Sequence, residues 1–333
     1  MGLIRFATAA DIPALVELGK EIHAGTRLSA LPYDEDKLAS QFQAILEPQN
    51  ESYCIFAAEV PGEGFVGALM GAVSECPFSD ARMSSNYVYF VRSRYRGSSL
   101  AVRLLFAFRQ WARNRDAMLF CISQNAGVDT GRFDKYMNHL GFACTGGNYS
   151  RWLNGLEEKT QSATISSGRI AVRPAGMPDI QAISALYGDM HAESPQSRIR
   201  MEQGRFISHL RSAMEQPRPE DSFLLAEEAG GKIAGFLSGH VTEYFFSRAR
   251  IAMSHTFYLT PEHREGAAAG ILLQGLQSWA EQRDCRELSL SLTSGIGTGP
   301  LDERILEAGF AFTGGNYIQW LMKKEGKGDG STP

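Results

Sequence analysis

Gly141 to Leu153 reads GFACTGGNYSRWL, and Gly309 to Leu321 reads GFAFTGGNYIQWL. The two stretches lie 168 residues apart, and the same offset, without adjustment, pairs Arg5 with Arg173, Asp11 with Asp179 and His23 with His191. It also pairs Gly67 with Gly235, Glu75 with Glu243, Arg82 with Arg250, Arg96 with Arg264, Trp111 with Trp279 and Asp116 with Asp284. The chain is therefore two copies of one unit. Two copies of this length are too few for a solenoid, so each is expected to be a domain with its own core. The first domain is placed at 1–155 and the second at 169–323. A Ser/Thr/Gly-rich linker at 156–168 and a polar tail at 324–333 are too polar to bury surface and are read as flexible.

Composition agrees with this division. The 333 residues are 44% hydrophobic and 21% charged, enough for two ordinary cores. The net charge is −4, with lysines and arginines scattered along the chain, so no nucleic-acid partner is expected. No apolar run approaches the roughly 20 residues of a spanning helix, and the N-terminus lacks the pattern of a secretory signal. No membrane partner is expected, and the location is read as cytoplasmic. The five cysteines, Cys54, Cys76, Cys121, Cys144 and Cys285, are odd in number and form no Cys-x-x-Cys pair, so neither a disulfide framework nor a metal site is expected.

Within each unit, alternating and helical spacings predict an order of elements. A short strand (Leu3 to Phe6, Ile170 to Arg173) leads to a helix capped by Asp11 or Asp179. A meander follows, with strands at Tyr53 to Ala58, Phe65 to Val73 and Tyr87 to Val91, and at Phe223 to Glu227, Ile233 to Val241 and Thr256 to Leu259. Leu100, Leu104, Leu105, Phe108, Trp111 and Ala112 recur at helical spacing from Ser98 to Asn114. Trp111 and Trp279 are read as core residues. A strand (Met118 to Ser123), a short helix and two strands around a turn at Thr145-Gly146-Gly147-Asn148 close the unit. That turn is read as structural, at a place where one unit packs on the other.

This order resembles the GNAT superfamily of N-acetyltransferases, and three motifs carry the resemblance. Tyr95-Arg96-Gly97-Ser98-Ser99-Leu100-Ala101 looks like the family's pyrophosphate loop, where unpaired N–H groups at a helix start bind coenzyme A. Its repeat is His263-Arg264-Glu265-Gly266-Ala267-Ala268-Ala269. Both copies depart from the pattern, since the central glycine is Ser99 in one and Ala267 in the other. Glu265 further sets a like charge near the phosphates where the first unit has Gly97, which makes the first unit the better cofactor candidate. The second motif runs from Asn125, the expected pantetheine contact, to Gly141-Phe142. Asn125 is Thr293 in the second unit. The family's proton-donating Tyr, four residues before that Gly, is replaced by Met137 and Ile305; Tyr136 is the neighbouring candidate, about 100° away around the helix. The third motif is His191-Ala192-Glu193-Ser194-Pro195, with His23 opposite, which resembles the loop over the acceptor pocket.

The resemblance implies an α/β fold made of two tandem domains, each a mixed, mostly antiparallel sheet flanked by helices. It implies an acyl-CoA-dependent N-acyltransferase that moves acetyl from acetyl-CoA, or another acyl-CoA, to an amine by direct attack. Cofactor candidates are Val91, Arg96, Gly97, Ser98, Ser99, Ala101, Asn125, Arg264, Gly266, Ala267 and Ala269. Glu75 and Glu243 are candidate bases and Tyr136 the candidate acid, because an amine must shed its proton before it attacks and the thiolate must gain one. His23, Tyr87 and His191 are candidate acceptor contacts. The acceptor is a small-molecule or peptide amine, and the two units are expected to form a pseudo-dimer within one chain. Two other readings stand beside this one: a non-catalytic acyl-CoA-binding or assembly module, and one active unit braced by a degenerate twin.

Overall fold

A computed structural model describes residues 2–153, 170–296 and 298–321; the linker at 156–168 and the tail at 324–333 fall outside them. The first half consists of β1 (Leu3–Phe6), α1 (Ile12–Ala24), α2 (Glu35–Ile45), β2 (Tyr53–Val60), β3 (Gly64–Glu75), β4 (Arg82–Val91), α3 (Ser99–Arg113), β5 (Ala117–Ser123), α4 (Thr130–His139) and β6 (Ala143–Trp152). The second half repeats it as β7 (Ile170–Pro174), α5 (Ile180–Glu193), α6 (Gln203–Glu215), β8 (Asp221–Glu228), β9 (Ile233–Glu243), β10 (Arg250–Leu259), α7 (Ala268–Glu281), β11 (Cys285–Ser291), α8 (Thr298–Glu307) and β12 (Ala311–Trp320). The α/β class and the order of elements follow the sequence reading, with two differences. Asp11 and Asp179 do not cap α1 and α5 with their own side chains. Each carboxylate folds back instead, to the N–H of Thr8 or Gly176 (2.8 Å) and to both terminal nitrogens of Arg5 or Arg173 (2.8 Å).

The larger difference lies at the end of each unit. Thr145 to Asn148 is not a turn between two strands but the interior of one strand, β6, and Thr313 to Asn316 lies likewise inside β12. The strands of the described residues form a single twelve-stranded sheet in the order β1-β2-β3-β4-β5-β12-β6-β11-β10-β9-β8-β7. The last strands are thus exchanged. β12 pairs with β5 of the first half (Asn316 opposite Ser123), β6 pairs with β11 of the second (Asn148 opposite Ser291), and β6 and β12 cross antiparallel with Gly147 opposite Gly315. The cores beneath α3 and α7 are each completed by the last strand of the other half, while the core beneath α1 and α2 has all its fully buried residues from the first half. Tyr317 and Leu321 are buried with Leu104, Phe108 and Phe120 of the first half, while Tyr149 and Leu153 are buried with Leu272, Leu276 and Leu288 of the second.

The repeated Thr-Gly-Gly-Asn is what lets the strands cross. Gly146 (φ +139°) and Gly314 (φ +147°) hold conformations that side chains resist. A Cβ on them would meet the Leu292 carbonyl at 2.5 Å and the Gln124 carbonyl at 2.3 Å. Asn148 and Asn316 then bond each other reciprocally, Nδ2 to Oδ1, at 3.0 Å both ways. Each amide also donates to a backbone carbonyl across the junction, Gln124 or Leu292, at 2.8 Å.

The hairpins between β3 and β4 and between β9 and β10 make a second exchange. Phe78 packs its ring edge on His191 (5.1 Å), and the Phe78 carbonyl accepts the Glu202 N–H at 2.9 Å. Reciprocally, Phe246 packs on His23 (5.3 Å) and its carbonyl accepts the Asp34 N–H at 2.8 Å. Because β12 completes the first half, a chain ending after Phe310 is expected to lose amide protection first in β5, α3 and α4, which are distant in sequence from the cut. Hydrogen exchange read by mass spectrometry checks this; loss confined to β10, β11 and α7 would contradict the exchange.

Candidate functional site

β4 and β5 run parallel only at their beginnings, where Arg82, Met83 and Ser84 pair with Ala117, Leu119 and Phe120. Beyond Ser84 they part, while β4 stays bonded to β3 as far as Val91 opposite Gly67. The edge of β4 that faces the gap is left without a strand partner, as an extended ligand requires. A side chain closes the crotch of this fork: the Asn86 amide donates to the Ser123 carbonyl at 3.0 Å and accepts the Ser123 N–H at 2.7 Å. In the second half β10 and β11 part after Met253, and Ser254 Oγ accepts the Ser291 N–H at 3.0 Å. Next to each crotch is a β-bulge, at Tyr87 and at His255, which turns that residue out of the ladder.

The loop after β4 leads into α3. Gly97 takes φ +81°, Ser98 accepts the Leu100 N–H at 3.3 Å, and the helix begins at Ser99, so the N–H groups of its first turn point out of the loop. Arg96 bridges the Val91 carbonyl (Nε, 3.4 Å) and Asp129 (Nη1, 2.9 Å). Arg264 repeats the first contact on the Leu259 carbonyl at 3.2 Å but turns its Nη2 to Glu193 at 2.7 Å. Gly266 and Ala267 lead into α7, whose first residues, Ala268 and Ala269, are buried. Ala101 lies in the first turn of α3, and its carbonyl accepts the Tyr89 hydroxyl at 2.8 Å.

That hydroxyl also meets Tyr136 Oη at 3.4 Å. Met137, at the family's proton-donor position, is wholly buried in the first core. The neighbouring position is therefore the one facing α3, and burial holds both phenols above their ordinary pKa, so each remains a proton donor near neutrality. Asn125 is exposed in the loop after β5, where its carbonyl lies 3.5 Å from Arg27.

The two glutamates stand elsewhere. Glu75 pairs opposite Arg82, four residues along β4 from Asn86 and so about 13 Å from the fork. It is half-exposed and bound to Arg205 of the opposite half at 2.6 Å. Glu243 binds Lys37 of the opposite half at 2.5 Å, which lowers its pKa. Both act as ties between halves. His23 Nε2 is 2.9 Å from the Leu31 carbonyl, and His191 is buried against the repeat of that segment, with its pKa lowered by burial. Tyr87 is exposed and stacked on Tyr53 at 6.0 Å. Burial pushes the Cys54 and Cys121 thiols up to about 12 and those of Cys76 and Cys285 up to about 11, so these four stay neutral.

Three groups were given no role of their own by the sequence reading. The Arg132 guanidinium lies against Gly97, where a Cβ would come within 2.6 Å of Nη2, and Arg132 has no acidic partner among the described residues. It occupies the first turn of α4, seven residues after Asn125, and its repeat position is Pro300. On the other half, the bulged His255 stacks on His240 at 4.4 Å, where the first half has Tyr87 and Ala72. The third is Glu193, whose second oxygen accepts the Tyr258 hydroxyl at 2.9 Å. A repeat alignment marks all three as positions where the copies differ, but only the fold says that they face the clefts.

A meander whose fourth strand forks from its fifth over the start of a helix, present twice with its last strands traded, defines a tandem GNAT-type fold. The structure is similar to a GCN5-related N-acetyltransferase from Sphaerobacter thermophilus at 16% identity, covering 97% of this chain and 96% of that one, with a TM-score of 0.59. It is similar to a tandem GNAT protein from the clavulanic acid biosynthesis pathway at 14% identity, covering 98% and 100%, with a TM-score of 0.52. It also resembles a GCN5-related glucosamine N-acetyltransferase region in a fungal multi-domain GH3 β-N-acetylglucosaminidase at 11% identity, covering 96% of this chain and 38% of that one, with a TM-score of 0.54. No curated protein matches the chain. Residues 188–295, in the second half, match the Acetyltransferase (GNAT) family. The family match thus lies within the second half, and the chain as a whole has the fold of tandem GNAT proteins. Among the described residues no helix is long and apolar enough to cross a membrane.

Burial lowers the pKa of His240, and burial together with the neighbouring His240 lowers that of His255; Asp221 opposes both shifts and Arg218 adds to them. The unfolded chain therefore binds these protons at a higher pH than the folded one. Their contribution to stability is complete above the unfolded value of about 6.5 and is lost as pH falls below it. Urea midpoints at pH 8 and pH 5.5 are expected to differ less in His240→Gln and His255→Gln than in the parent, with a remaining slope from His191. An unchanged difference would show these rings to be irrelevant to the acid limb.

Proposed function

We propose that the chain is an acyl-CoA-dependent N-acyltransferase with its working cofactor cleft in the first half and an amine as acceptor. The observation that carries this reading is the first-half loop, where the start of α3, Arg96 and Arg132, which has no acidic partner among the described residues, converge below an open strand fork. Helix N–H groups and guanidinium pairs are the usual cradle of a pyrophosphate. The second half lacks the counterpart of Arg132 and carries Glu193 and Glu265 beside its loop, which supports one working site braced by a twin.

When bound, the acyl-CoA supplies the thioester carbonyl that the amine attacks. The chain orients it. The free edge of β4 from Tyr87 to Val91 offers backbone groups to a pantetheine arm, and a strand N–H there polarises the carbonyl oxygen. Tyr136, hydrogen-bonded through Tyr89 to the first turn of α3, is the candidate donor for the leaving thiolate. His23 has Nε2 at the Leu31 carbonyl, so that nitrogen carries the proton and Nδ1 is left as an acceptor for the amine's proton. Glu75 and Glu243, tied to cations at the far end of the sheet, are set aside as bases.

Calorimetric titration with acetyl-CoA is expected to give one equivalent, lost in Arg96→Glu and kept in Arg264→Glu. No binding to the parent protein would overturn the acyl-CoA reading. With an amine acceptor in hand, Tyr136→Phe is expected to lower kcat about a hundredfold while leaving binding intact. Binding of acetyl-CoA without thiol release across a panel of amines would favour the non-catalytic module.

A further inference from the structure

The repeat makes each cleft the control for the other, and they differ at one position of the helix that borders them. α1 ends with Gly25 as its C-cap, whereas α5 carries Glu193 at the equivalent place. In the first half this position has no side chain. It borders a cleft of about 360 Å³ that reaches Phe90, Arg92, Ser93 and Arg96. In the second half the Glu193 carboxylate spans the corresponding gap, one oxygen on Arg264 Nη2 at 2.7 Å and the other on the Tyr258 hydroxyl at 2.9 Å. Tyr258 stands where the first half has Phe90, so the second half has acquired both a carboxylate and a phenol to hold it. Burial and Glu193 push that phenol up to about 12, which keeps it a donor to the carboxylate.

The second cleft lacks Arg132 but keeps the fork, the arginine and the helix entrance. Its strands fork, Arg264 holds the end of β10, and Ala267 enters α7 without a side-chain hydrogen bond to the first turn, leaving those N–H groups to other acceptors. We infer that the second half holds a second acyl-CoA cleft which Glu193 shuts, by occupying Arg264 and by setting a negative charge where the pyrophosphate would lie. The inference rests on the reading of the first cleft given above. A carboxylate and a phosphate compete for the same guanidinium fork; Arg96 of the first half also carries one, Asp129, so what sets the second cleft apart is that Glu193 comes from the helix bordering it and is held by Tyr258 as well.

The test is the stoichiometry of acetyl-CoA in two reciprocal variants. Glu193→Gly gives the second half the first half's residue at this position, with Pro300 and Glu265 still in place of Arg132 and Gly97, and is expected to raise one equivalent to two. Gly25→Glu carries the lock to the first half, where backbone angles of −91° and 6° admit a side chain, although its Cβ comes within 3.1 Å of the Glu21 carbonyl. It is expected to weaken the first site at least tenfold, and a circular-dichroism melt of each variant separates this from misfolding. Both results are required. Two equivalents in the parent, one equivalent in Glu193→Gly, or unchanged affinity in a folded Gly25→Glu would each overturn the lock. A parent that binds nothing while Glu193→Gly binds one equivalent would uphold the lock on the second cleft and overturn the assignment of the working site to the first.

Discussion

Two buried asparagines facing each other at 3.0 Å decide the architecture. An amide in an apolar sheet centre is costly unless both of its ends are bonded, and here each satisfies the other while also donating to the strand beyond it. Only one register of β6 on β12 achieves this, because slipping by one residue would send both side chains to the opposite face. The glycines beside them let the strands approach. Everything else in the junction, from Tyr317 in the first core to Tyr149 in the second, takes its position from this crossing.

A consequence is that the clefts are joint products of both halves. The last turn of α1 is packed by Phe246, and that of α5 by Phe78, so each helix bordering a cleft rests on the partner half's hairpin. Arg27, from the loop after α1, reaches the fully buried Glu287 of β11 at 2.7 Å, and Glu287 also accepts the Tyr244 hydroxyl. With this scaffold shared, the halves could diverge at their mouths without disturbing the frame. Arg132 against Pro300 and Gly25 against Glu193 are such divergences, all at positions that carry no load in the crossing.

The repeat, the order of elements and most strand positions were legible in the sequence because hydrophobic spacing is local information, and α3 was placed to within a residue at each end. The strand exchange was not. β6 and β12 have nearly the same residues, so no pattern tells which half each one enters. The Thr-Gly-Gly-Asn segment was recognised as structural and placed at the contact between units, but glycine pairs suggest a turn, and only the partner strand explains why they permit a close crossing instead. The pyrophosphate loops were found by their motif. Glu75 and Glu243 were not recognisable as inter-half ties, since their partners, Arg205 and Lys37, lie 130 and 206 residues away.

The exchange also bears on how the chain acquires its form during synthesis. β5 is made long before its neighbour β12, and at typical elongation rates the interval between them is roughly 10 to 40 seconds. During that time the first half carries an unfilled sheet position with β5 as its exposed edge, a hazard for aggregation. β6, made some twenty residues after β5, bears the same Thr-Gly-Gly-Asn-Tyr and Trp-Leu as β12. Duplication thus leaves the nascent chain a second strand of matching pattern close behind the exposed edge.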